Sequence, residues 1–97
     1  MVIIALDHVP HCYSTADGLI IAKLIRDHLV ADRSVVLSLA GVSDIPTSFA
    51  NAAFVSLLDD FHPDWLRAHL SIVDASHQAS GVIKRCLHHA IERLEAA

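Results

Sequence analysis

The chain has 97 residues, 54% of them hydrophobic, and a formal net charge of −4. Its mean hydropathy is +0.48. That length makes one domain, residues 1–97, whose apolar content fills a core and leaves a surplus for an interface, with a protein partner or with a second copy as a homodimer. The seven Lys and Arg are scattered and outnumbered by eleven Asp and Glu, so there is no basic stripe for nucleic acid. No apolar run approaches the roughly 18–20 residues of a membrane span.

Met1-Val2-Ile3-Ile4-Ala5-Leu6-Asp7 carries neither the basic start nor the small-residue cleavage site of a signal peptide. Two cysteines, Cys12 and Cys86, are too few for a disulfide framework, and a reduced, cytoplasmic setting is expected. Residues 2–6 are a continuous apolar run, the pattern of a strand covered on both faces. Residues 7–13 form a loop around Pro10, with room for a short extra strand pairing. Ser14 or Thr15 is placed to cap a helix, with Asp17 complementing its dipole. That helix is expected to reach about Ala31, with Ile21, Ile25 and Leu29 on its inner face.

After a turn at Asp32-Arg33, residues 34–40 read as a second buried strand. Gly41 opens a connection in which Pro46 keeps Ile45 extended, and Thr47 or Ser48 is placed to cap a second helix. This helix is expected to run to about residues 58–60 and is apolar nearly all round, with Asn51 and Ser56 the main exceptions. Residues 61–64 break it, and 65–69 form one further turn. Residues 70–74 are the third strand. Ser76 or Ser80 opens a last helix with Ile83, Cys86, Leu87, Ala90, Ile91 and Leu94 inward; Lys84, Arg85, His88, His89, Glu92 and Arg93 lie on its other face. The order is βαβαβα, an α/β domain with a small, mainly parallel sheet and right-handed crossovers, built as an open two-layer or a three-layer fold.

No catalytic constellation assembles along this order. Cys12 precedes a helix, where terminal N–H groups stabilise a thiolate, and a thiol-dependent redox enzyme using Cys12 is the alternative reading. A second nearby cysteine is missing, as is a proline leading into the third strand, and no arginine follows at phosphatase spacing. His8, His11 and Cys12 offer three metal-competent side chains, but a structural zinc site needs a fourth ligand, and only His77 or His88-His89 stand as candidates. Ser43 lacks the Gly-x-Ser-x-Gly elbow, and Gly18, Gly41 and Gly81 are too dispersed to cradle a phosphate. Asp59-Asp60 diverge as neighbours and read as a solvated helix end. No enzyme activity, cofactor or metal is therefore expected.

The informative stretch is residues 35–54, where a buried strand ends in a glycine turn and a hydroxyl pair begins a buried helix. It puts Thr47 and Ser48 at the positive end of a helix dipole, where a phosphate is favoured. A plain N-cap accounts for the same pattern. Taken with the helix opened by Ser14-Thr15-Ala16-Asp17-Gly18, the strand at 35–39, the turn Gly41-Val42, and Ile45-Pro46-Thr47-Ser48-Phe49 leading to Ala53-Phe54 and Leu57, the chain resembles the STAS-like domains of unknown function. These are relatives of sulfate-transporter and anti-sigma-factor-antagonist domains. The resemblance implies a compact sheet with helices and a role in protein–protein signalling. It also implies a partner of the GHKL-type ATPase class, and phosphorylation at Ser48, with Thr47 second. Contact would run along residues 45–50, with Ile45, Phe49 and nearby Asn51, and along the start of the first helix. The chain departs from full STAS domains in lacking an Asp-Ser-Ser-Gly-Leu segment and one N-terminal strand.

Overall fold

Three short strands, β1 (Val2–Ile4), β2 (Val35–Ser38) and β3 (Leu70–Val73), form a parallel sheet in the order β1-β2-β3. Leu37 stands at its centre, in register with Ile3 on one side and Ile72 on the other. The computed structural model describes residues 1–96. The helices are α1 (Thr15–Leu29), α2 (Thr47–Ala53), α3 (Pro63–His69) and α4 (His77–Ala96), with 3-10 turns at Ala5–Asp7 and Val55–Asp59. The expected alternation holds, with α3 added as a full helix. Pro63 stands at its first position, where a missing N–H costs nothing, and the His62 ring accepts the Asp64 N–H at 3.2 Å.

The fold is the open two-layer form. With sequential strands joined by right-handed crossovers, every connecting helix falls on the same side of the sheet. Ile3 is accordingly 4% exposed, whereas Val2 and Ile4 on the opposite face are 64% and 41% exposed. The continuous apolar run at residues 2–6 therefore does not mark a strand covered on both faces. It also stops early: the His8 and Val9 N–H groups both turn back to the Ala5 carbonyl, closing a 3-10 turn. Among the described residues, 8–13 form no extra strand pairing.

Three other boundaries move for local reasons. α1 ends at Leu29, two residues before the expected limit, and the turn is completed by Asp32 in the left-handed region at φ 59°. The second helix breaks at Phe54 (φ −120°), where Val55 is β-branched and the Ser56 hydroxyl donates back to the Ala52 carbonyl at 2.6 Å. Phe54 instead packs edge-on to Phe49, with ring centroids 6.2 Å apart. β3 stops at Val73 because Asp74 adopts φ 58° and takes the buried Ser38 hydroxyl as a donor at 2.7 Å.

α1 and α2 cross at close range through Gly18. A Cβ there would lie 2.7 Å from the Ala52 Cβ and 2.8 Å from the Phe49 carbonyl oxygen, neither of which belongs to a flexible side chain. Gly18→Ala is therefore expected to cost about 1–3 kcal/mol through overpacking, despite the better helix propensity of alanine. Beyond its chain neighbours and its own helix backbone, Gly81 on α4 has nothing among the described residues within 4 Å of the same position. Gly81→Ala should stabilise by about 0.5–1 kcal/mol. Urea midpoints of the two variants moving in opposite directions would verify the pair.

Candidate functional site

The corner between β2 and α2 is fastened from outside its own segment. Gly41, at φ 83°, turns the chain away from the sheet. The Gln78 side chain then grips Ile45 at both backbone groups: its Oε1 accepts the Ile45 N–H at 2.9 Å, and its Nε2 donates to the Ile45 carbonyl at 3.0 Å. Ser76 donates its hydroxyl to the Ser43 carbonyl and accepts the Ala79 N–H at 3.0 Å. Ser76, not Ser80, thus opens α4 and holds the corner in the same act.

Pro46 is the N-cap of α2 and contributes no side-chain cap. Thr47 and Ser48 are the first two helical residues instead of the cap that their sequence suggests, because Pro46 already has the extended backbone that an N-cap requires. Both are exposed, as is Asn51. Ile45 and Phe49 are core residues. Of the five residues singled out at this corner, three therefore face solvent and two anchor the element, so the Ile45 and Phe49 side chains offer no surface to a partner.

Between α2 and α4 lies an open recess of about 600 Å³. Thr47, Asn51 and Val55 line it from one side, and Arg85, Cys86, His89 and Arg93 from the other. Ser48 is outside this lining. The α4 positions 85, 89 and 93 recur every four residues, which stacks them on one helix face. That spacing is legible in the sequence, but it reads there as an ordinary solvated face until α2 is seen opposite.

The chemistry at Cys12 runs against a redox centre. Cys12 is 2% exposed. Burial first, and then the negative charge of Asp17, push its thiol from 9.0 up to about 11. The N-terminus of α1 is already occupied: Ser14 Oγ accepts the Asp17 N–H at 3.0 Å and Asp17 Oδ2 accepts the Ser14 N–H at 3.4 Å, a reciprocal capping box. Partial burial of the Asp17 carboxyl acts upward, but hydrogen bonds from Ser14 and the Tyr13 backbone, with His11 nearby, outweigh it and hold the group below the usual carboxylate range. His8 and His11 are exposed while Cys12 is buried, and among the described residues no three His, Cys, Asp or Glu come together as ligands. Asp60 pairs with Arg26 of α1 at 2.8 Å.

Two outcomes follow from these contacts. Gln78→Ala removes both hydrogen bonds to Ile45 and should cost about 1–2 kcal/mol, with faster hydrogen exchange at the Ile45 amide as its local signature. Iodoacetamide should label half-buried Cys86 in the native chain and reach Cys12 only on unfolding. Since the folded state raises the Cys12 thiol, it favours the neutral form. That contribution is whole below pH 9.0 and fades as the pH climbs towards about 11. Thermal melts across that range should show an alkaline decline that Cys12→Ala flattens.

Compared with models of known protein families, residues 21–79 match the STAS-like domain of unknown function. The match takes in β2, the whole α2 corner, β3 and the Ser76–Gln78 clamp, and begins after the capping box of α1. No curated protein and no solved structure matches the chain. With more than half of its length covered by that one model, the chain belongs to the family of STAS-like domains of unknown function.

Proposed function

We propose that the chain is a non-enzymatic protein–protein interaction module of a cytoplasmic signalling system. Its contact surface is centred on Thr47, Ser48 and Asn51, and its partner is a GHKL-type ATPase. The observation that carries this reading is the construction of the corner. Exposed polar side chains stand on a short helix whose Phe49 is sunk in the core, as is Ile45 at its entry, where Gln78 grips the backbone. A surface presented this way loses little conformational entropy on association. No helix of the described residues is long and apolar enough to cross a membrane.

Phosphorylation at Ser48, with Thr47 second, is the proposed switch. The added dianion would meet N–H groups at the start of α2 that no side chain caps, and at Thr47 it would share a recess with Arg85 and Arg93, two cations against the one carboxylate of Glu92. The same charge would oppose a partner surface fitted to a neutral hydroxyl. A homodimer is the second reading, favoured by Leu19 and Ile20, consecutive large apolar residues that are both exposed on α1.

Calorimetric titration against the ATPase tests the main proposal. Ser48→Asp should weaken binding by about tenfold, equivalent to about 1.4 kcal/mol, and Thr47→Asp should do so in part. Ser48→Ala should stay within a few-fold of the parent, with unchanged circular dichroism for all three. An affinity indifferent to Ser48→Asp removes the switch, and absence of any heat with the parent chain removes the partner.

A further inference from the structure

A parallel strand sends the N–H and C=O of one residue to the same side and alternates sides along its length. Val73 accepts the Leu39 N–H at 3.0 Å, so Val73 and Ser71 face β2, while Leu70 and Ile72 face away from it. The Leu70 N–H is taken by the Leu66 carbonyl. Since β3 ends the sheet among the described residues, the Ile72 N–H and carbonyl have no strand beside them.

The side chains of the same two residues line a groove of about 700 Å³ between α3, β3 and α4, together with Leu66, Ile83, Leu87 and Ile91. The apolar stripe of α4 outruns the sheet beneath it. Ile83 is buried, Leu87 and Ile91 are half-buried, and Leu94 is 53% exposed. A fourth strand beside β3 would supply the missing cover.

Charge says what kind of strand fits. Arg67, Lys84, Arg85 and His88 line the groove, and no Asp or Glu does, in a chain where acidic residues outnumber basic ones eleven to seven. Arg67 reaches Asp64 at 3.6 Å and His88 reaches Glu92 at 2.8 Å, whereas Lys84 and Arg85 have no ion pair among the described residues. Two copies joined edge to edge at β3 would bring these cations together with no lining carboxylate to meet them.

The geometry points to a second interaction surface, at which an extended peptide with an apolar centre and acidic flanks adds as a fourth strand along β3. Its backbone pairs with Ile72, its inward side chains cover Leu87 and Ile91, and its carboxylates meet Lys84 and Arg85, the latter also lining the α2 recess. This is strand addition, in which main-chain hydrogen bonds supply affinity and the flanking pocket supplies selectivity.

The test uses a fluorescein-labelled peptide of about eight residues, a common upper strand length, with a valine-rich centre and glutamate flanks. A control peptide carries lysine in place of glutamate. Anisotropy should show saturable binding of the first peptide only, weakening as salt rises. Amide exchange at Ile72 should slow in the complex. Lys84→Glu, at an exposed position, should weaken binding about tenfold. Ser48→Asp should leave it unchanged, which separates this surface from the α2 corner. Equal binding of the lysine peptide, or binding with no protection at Ile72, overturns the inference. So does Ile72 protection that grows with protein concentration alone while the chain sediments as a dimer, since the occupant would then be a second copy.

Discussion

Placing every helix on one face of a three-stranded sheet is the constraint from which the remaining architecture follows. Strands in sequential order, crossed over with a single hand, leave no helix for the opposite face. Ile3, Val35 and Leu37 therefore carry the sheet's share of the core, and Val2, Ile4 and Val73 are left exposed. Among the described residues the sheet ends at β1 on one side and β3 on the other, and after β3 the chain turns back at Asp74 and packs its longest helix over α2. One crossover rule thus produces the open face, the free edge and the crowding of four helices into one layer.

Crowding is resolved at two contacts of different chemistry. α1 approaches α2 so closely at Gly18 that only a missing Cβ permits it, which lets Phe49, Ala50 and Ala53 sit fully in the core. α4 meets the α2 entry through polar atoms: Gln78 stands in for a strand neighbour by satisfying both backbone groups of Ile45. The first contact sets how deep α2 lies and the second fixes where its exposed residues point. A seven-residue helix has little stability of its own, and both contacts are needed to hold it.

Period and capping made most of this fold legible before any coordinates. The alternation of short apolar runs with 3.6-residue stripes separates strands from helices, and Ser14 with Asp17 marks the start of α1 through a local hydrogen-bond exchange. What could not be read is what depends on partners distant in sequence. Residues 2–6 look doubly buried because local hydrophobicity does not record that one sheet face lacks a layer. Ile45 and Phe49 look like surface anchors beside Thr47 and Ser48, since helix phase is uncertain until Pro46 is known to be the cap. The Gln78–Ile45 grip spans 33 positions, and neither residue type signals it.

The apolar surplus noted in the composition can now be given an address. It does not lie on α2, whose apolar residues are consumed by the core, and on α1 it amounts to Leu19 and Ile20. The larger shares are the bare face carrying Val2, Ile4 and Val73, and the overrunning stripe of α4 from Leu87 to Leu94. Both areas reach β3, one of the two edge strands of the described sheet, which carries Val73 on the bare face and borders the α4 groove. Strand addition at that edge would use both, whereas docking at the α2 corner uses neither. If the corner governs when a partner engages, the edge accounts for why so small a domain keeps so much apolar surface in water.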